Sequence, residues 1–169
     1  MKLYLVRHAT ATDRIAGLIR SDAERPLTDA GKEEAQMVAM SLRRSGIKGD
    51  AFLHSPLVRA RQTAEIFAEI FAGKDKLQLC QPLVPGGTAS DLYQELKQLR
   101  RANELFLFGH EPDLEHIAQT LLWAGPELKM PFKKAGVCRI DVADLPPTTP
   151  GTLKWFITPK IVAAFSGRL

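Results

Sequence analysis

Lys2-Leu3-Tyr4-Leu5-Val6-Arg7-His8 opens the chain with a short apolar run that stops abruptly at a cation and an imidazole. A run of this length and β-rich composition reads as a buried strand ending in a polar loop. The same design recurs twice. Residues 50–54 form a second such run, leading into His54-Ser55-Pro56 with Arg59 in the helical turn beyond. Residues 105–108 form another, stopped by Gly109-His110.

Helical patterns fill the intervals. Thr28 reads as an N-cap for a helix reaching about Arg44, with Ala35, Val38, Ala39 and Leu42 on one apolar face and Gly46 closing it. Ser55-Pro56 reads as a cap with proline at the first helical position. The helix it opens carries Ala60, Ala64, Phe67 and Phe71 on one side and ends by Gly73. Residues 77–80 suggest a short third strand. Leu92, Leu96 and Leu99 stripe a helix running to about Arg101. Asp113 reads as the cap of another, with Leu114, Ile117, Ala118 and Leu121 inward. After Pro131, residues 137–142 and 153–158 read as strands around a proline-rich loop, and 160–165 as strand or tail. Strands alternating with helices predict an α/β three-layer sandwich with a mostly parallel central sheet, helices on both faces and antiparallel edges at the end. One domain, residues 1–169, is expected.

Composition excludes several classes. With 45% hydrophobic and 25% charged residues the chain is neither disordered nor fibrous. No apolar run approaches the roughly 20 residues of a membrane span, and residues 3–6 are too short for a signal-peptide core, so a cytoplasmic location is expected. Cys80 and Cys138 lack the spacing of a zinc ribbon or redox pair. The net charge of +4 suits an anionic substrate but is too dispersed for a nucleic-acid footprint.

In open α/β sheets ligands bind beyond the carboxyl ends of the strands, so His8, Arg7, Arg59 and His110 are expected at one rim. Two histidines and two arginines there suit a phosphoryl group. Arginine forks onto phosphate oxygens, and a helix N-terminus near Arg59 also favours an anion. A neutral imidazole is a competent nucleophile, and the arginines keep it unprotonated. No metal is required by this chemistry.

At these residues the chain resembles the histidine phosphatase superfamily, which includes the cofactor-dependent phosphoglycerate mutases. The matching pieces are Leu5-Val6-Arg7-His8-Ala9, Arg25-Pro26-Leu27-Thr28, Ser55-Pro56-Leu57-Val58-Arg59-Ala60-Arg61-Gln62-Thr63-Ala64 and Gly109-His110. They span roughly Met1 to Leu122, and the short length together with the Arg25 element is most similar to the SixA type of phosphohistidine phosphatase. The resemblance implies a phosphoglycerate mutase-like fold and a single histidine phosphatase domain. It implies that His8 is phosphorylated and that Arg7, Arg59 and Arg25 clamp the phosphate, with His110 stabilising the in-line transition state. It implies no cofactor.

Two departures stand out. Ala9 replaces the glycine of the Arg-His-Gly signature, and no carboxylate occupies the place of the family's general acid. Asp22, Glu24 and Glu111 are the candidate acids, each more simply explained as structural. Expelling an alkoxide benefits from an acid, whereas a phosphoramidate bond is weak once its ring nitrogen is protonated, so phosphohistidine fits better than a sugar phosphate. Only 50 residues separate Arg59 from His110, too few for the helical lid of larger members, so an open rim and a protein substrate such as a phosphotransfer domain are expected. A small-molecule phosphomonoesterase and a non-catalytic phosphate-binding docking module remain alternatives.

Other polar residues have simpler assignments. His54 reads as a satisfied rim residue, Ser55 as the helix cap, and Arg61 and His116 as exposed. The segment from His110 to His116 is no zinc-protease helix, because its histidines are six apart and Pro112 interrupts it. Lys134 is placed to approach the phosphate from the late loop, but a role there is not assigned.

Overall fold

The computed structural model describes residues 1–13, 21–99 and 101–165. Its centre is one six-stranded sheet in the order β3-β2-β4-β1-β5-β6. The strands are β1 (Lys2–Arg7), β2 (Ala51–His54), β3 (Leu77–Leu79), β4 (Glu104–Gly109), β5 (Val137–Asp141) and β6 (Thr152–Ile157). The first four are parallel, and β5 and β6 add antiparallel pairs. Of these two only β6 is an edge, because β5 lies between β1 and β6.

Residue alternation sends the strands' side chains to two cores. Leu3, Leu5, Leu53, Leu105 and Leu107 face α3 (Ala89–Leu96) and α4 (Asp113–Leu121). Tyr4, Val6, Phe52, Phe106 and Phe108 face α1 (Asp29–Arg44), α2 (Val58–Ile70) and α5 (Pro159–Phe165). Aromatic stacking organises the second core, with Phe106 between Tyr4 at 4.5 Å and Phe52 at 5.2 Å between ring centroids. The expected three-layer sandwich is therefore present. No described helix is long and apolar enough to cross a membrane.

Local expectations held unevenly. Thr28 caps α1, its hydroxyl accepting Gly31 N–H at 3.0 Å, and Gly46 follows the helix with φ of 87°. Ser55, by contrast, does not cap α2. That helix begins at Val58, and its N-cap Leu57 has no capping side chain. Ser55 Oγ instead accepts Leu57 N–H at 3.3 Å in a local turn and is committed elsewhere. Asp113 lies inside α4, where it accepts the Gly86 N–H rather than capping its own helix. The helix after Thr88 ends at Leu96 and tightens into a 3-10 turn over Lys97–Leu99, short of the expected Arg101. Residues 160–165 are helical, because Val162 seats in the α1 core.

Register places the strand ends together. Arg7 pairs with Gly109, and His54 with Phe108. The backbone continues the match past the strands: His8 N–H donates to Gly109 O at 3.1 Å and Ser55 N–H to Phe108 O at 3.0 Å. His8, Ser55 and His110 thus leave three adjacent parallel strands at the same level.

Candidate active site

His8 is 7% exposed and its ring lies 5.2 Å from that of His110, which is 3% exposed. His8 Nδ1 is 2.8 Å from Ala9 O. A carbonyl only accepts, so Nδ1 carries the proton and Nε2 the lone pair. Arg59 Nε–H donates to that same Nε2 at 3.2 Å. Both contacts specify one tautomer. Burial, then the cations Arg59, Arg7 and Lys134, lower the His8 pKa to about 4 against the opposing Ala9 bond.

Arg59 reaches the rim from the first turn of α2 and is itself buried. Asp22 holds its other nitrogens: Nη1 donates to Asp22 O at 2.7 Å and Nη2 to Oδ2 at 2.9 Å. Arg25 donates from Nη1 to Asp22 Oδ1 at 2.9 Å and from Nε to Thr12 O at 2.6 Å. One carboxylate therefore bridges two of the three arginines expected to hold phosphate. The hydrogen bond from Arg25, with the charge of Arg59, holds the Asp22 carboxyl below its ordinary range. An acid of that kind stays ionised and is a poor proton donor.

The loop carrying these groups is tied down by pairing between residues 10–12 and 26–28. Thr12 N–H donates to Pro26 O, Thr28 N–H to Thr10 O, and Leu27 N–H to Gln62 Oε1 on α2. Arg7 donates from Nη1 to Phe132 O, and its buried Nε has no partner among the described residues. Phe132 N–H in turn donates to Glu111 Oε1 at 2.9 Å. Burial raises the Glu111 pKa, and its Oε2 is buried without a partner among the described residues. Glu24 is exposed.

The structure thus brings His8, Arg7, Arg59 and His110 to one rim, and Arg25 is joined to them through Asp22. His54 is buried with Nδ1 on Ser55 O, while His116 is exposed and exposed Arg61 faces Glu65 at 3.6 Å. Lys134 is exposed on the turn that follows Phe132, where Ala135 N–H donates to His8 O at 3.2 Å. That tether keeps its charge within range of His8.

Sequence reading missed three members. Thr63 accepts Ala9 N–H at 3.1 Å and donates to Arg59 O at 2.7 Å, so it joins the nucleophile loop to α2. Its position four residues after Arg59, on the same helical face, was a usable signal. Asp22 was weighed as a candidate acid more simply explained as structural, and its pairing with Arg59 was not foreseen. Ser55, taken as a cap, lies with Oγ 2.8 Å from His110 Nε2, and no spacing rule announces that pair. Ala9 is buried and its φ is outside the left-handed region, so glycine is not required there.

Comparison with known proteins follows the same lines. The family profile of the histidine phosphatase superfamily (branch 1) matches residues 3–78. An uncharacterized protein of Picosynechococcus sp. is 37% identical over 139 residues, covering 81% of this chain and 82% of that protein. The solved structure of the protein histidine phosphatase SixA, complexed with tungstate, superposes with a TM-score of 0.83 at 22% identity, covering 96% of this chain and 99% of that one. The α-ribazole phosphatase of Shigella flexneri superposes with a TM-score of 0.70 at 17% identity, covering 94% and 97%. At these identities the solved structures speak for the fold.

Proposed function

This chain belongs to the histidine phosphatase superfamily and has its phosphoglycerate mutase-like fold, and on that footing we propose that it removes phosphate from a histidine-phosphorylated protein through a phospho-His8 intermediate. A phosphatase is what superfamily membership supports; the protein substrate and the residue roles are our reading. The observation that carries it is the tautomer of His8, whose Nδ1–H is committed to Ala9 O while Nε2 keeps its lone pair beside Arg59.

The chemistry balances without a dedicated acid. The substrate imidazole is protonated on the nitrogen remote from phosphorus. His8 Nε2 attacks phosphorus in line, the P–N bond of the substrate breaks, and its electron pair returns to the substrate ring, which leaves neutral. Water then attacks phospho-His8, the new P–N bond breaks back onto Nε2, and the water proton leaves with phosphate or solvent. The Nδ1–H to Ala9 O bond persists throughout. Arg7, Arg59 and Arg25 neutralise the phosphoryl oxygens, which supports turnover independent of metal. A phosphotransfer domain is the kind of partner that presents such a phosphate.

One observation favours the second reading, a small-molecule phosphomonoesterase. Glu111 is a carboxyl whose pKa is raised by burial, the property expected of an acid that protonates an alkoxide.

A single competition separates the two. A phosphohistidine-bearing phosphotransfer domain and p-nitrophenyl phosphate are offered together with chelator present, and His8→Ala runs alongside. Preferential loss of phosphohistidine, abolished by the substitution, is expected. Preference for the ester overturns the protein-substrate reading, and no turnover of either leaves a docking module.

A further inference from the structure

Ser55 is fully buried at the end of β2, with its Oγ 2.8 Å from His110 Nε2. The direction of that bond follows from counting protons. A hydroxyl has one proton to donate and two lone pairs to accept with. Leu57 N–H already donates into Ser55 Oγ at 3.3 Å. Were His110 Nε2–H to donate as well, the Ser55 proton would be left buried without an acceptor, since Leu57 and His110 are its only described partners. Buried donors without acceptors are costly. Either arrangement leaves one buried donor unmet, the Ser55 hydroxyl or Nδ1–H, but an Nε2–H donor would leave the Nδ1 lone pair unmet as well, so the Ser55 proton goes to His110 Nε2.

The other ring nitrogen completes the proton count. His110 Nδ1 is buried and has no hydrogen-bond partner among the described residues. With Nε2 accepting from Ser55, the neutral ring must carry its proton on Nδ1. This is a buried donor missing an acceptor, in a site where His8, Arg59 and Arg7 also face the ring. An oxyanion is the group that completes it. Burial, with the charges of Arg59 and Arg7, holds the ring neutral at working pH against the opposing charge of Asp22.

We propose that Ser55 is a positioning residue that fixes His110 as the Nδ1–H tautomer, and that Nδ1–H is the donor to an equatorial oxygen of the phosphoryl group. The tautomer stands on the geometry alone; the identity of its acceptor rests on the phosphoryl-transfer reading above. Arg59 and Arg7 supply charge to the phosphoryl, whereas His110 supplies a neutral, directed hydrogen bond that strengthens as charge builds on the oxygen.

The test is nitrogen-15 NMR of histidine-labelled protein at pH 7.5, with His110 assigned by substitution. The expected spectrum has Nδ1 protonated and Nε2 bare, and the Nδ1–H resonance shifts when inorganic phosphate is added. In Ser55→Ala the tautomer preference is lost, kcat falls roughly tenfold to a hundredfold, and KM changes by less than about threefold. Ser55→Cys, which keeps a weak donor of similar size, falls between them. A wild-type His110 protonated on Nε2, or doubly protonated, overturns the inference, as does Ser55→Ala with unchanged kcat. Because the wild-type spectrum needs no phosphohistidine substrate, failure of the functional reading leaves this result separately legible.

Discussion

Asp22 Oδ2 lies 2.9 Å from Arg59 Nη2, and the Asp22 main-chain oxygen takes Arg59 Nη1 at 2.7 Å. Asp22 thus holds both terminal nitrogens of a buried guanidinium, one through its largely exposed carboxylate and one through its main-chain oxygen, while its carboxylate also pairs with Arg25. Phosphate arriving at Arg59 competes with this internal anion. The pair is solvent-screened on the Asp22 side, so its worth is at most about 1 kcal/mol. Asp22→Asn is expected to tighten competitive inhibition by inorganic phosphate by up to about fivefold. Weaker inhibition by phosphate in the variant would mean that Asp22 chiefly orients Arg59.

The histidines set a pH dependence with a definite sign. His8 and His110 have pKa values lowered to about 4 and about 3 from 6.5. Phosphoenzyme formation needs neutral His8, so its rate is expected to be independent of His8 above pH 5 and to fall as pH drops through about 4. Rapid-quench trapping of the phosphoenzyme measures this, and a fall centred near 6.5 would show an unshifted nucleophile.

Stability follows the same protons. Between pH 6.5 and about 4 the unfolded chain binds protons at these two sites that the folded chain refuses. The stabilisation is complete above 6.5 and is lost as pH falls from there towards 4. The urea midpoint is expected to be lower at pH 5 than at pH 7.5, and His8→Gln should flatten that slope. Equal slopes in both proteins would remove His8 as the cause.

Gly31 is where α1 meets the loop after the nucleophile. A Cβ built there would sit 2.0 Å from Thr10 O, and that carbonyl already accepts from Thr28 N–H and Oγ–H. Backbone on both sides leaves no side chain to yield. Gly31→Ala is expected to destabilise the fold by roughly 1–3 kcal/mol and to lower turnover. A thermal midpoint unchanged from wild type would contradict the close approach.

Ala9 makes the opposite prediction. Its backbone is in an ordinary region and its methyl is buried. Restoring the signature glycine should leave kcat within about twofold and lower stability by roughly 1–2 kcal/mol, from chain entropy and the lost methyl. A large gain in kcat would show that the alanine constrains the phosphate loop.

Much of this architecture was legible beforehand, for local reasons. Leu3–Val6 and Leu105–Phe108 are apolar on both faces because helices cover both sides of the sheet, and that burial pattern is written in the residues themselves. The segment at 160–165 was ambiguous because one buried residue, Val162, decides its form. Ser55-Pro56 carried a cap signature, but the local pattern was overridden by a partner on another strand.

The sequence by itself determined that Arg7-His8, Arg59 and Gly109-His110 share a rim, because strand ends and helix starts are local features and parallel α/β sheets expose them on one side. Only the tertiary structure decided which atoms meet. The pairing of Arg7 with Gly109 and of His54 with Phe108 brings Ser55 to His110, and the hairpin-like pairing of residues 10–12 with 26–28 carries Asp22 to Arg59. A hydrogen bond depends on position to within a few tenths of an ångström, and that is set by the register of strands far apart in sequence.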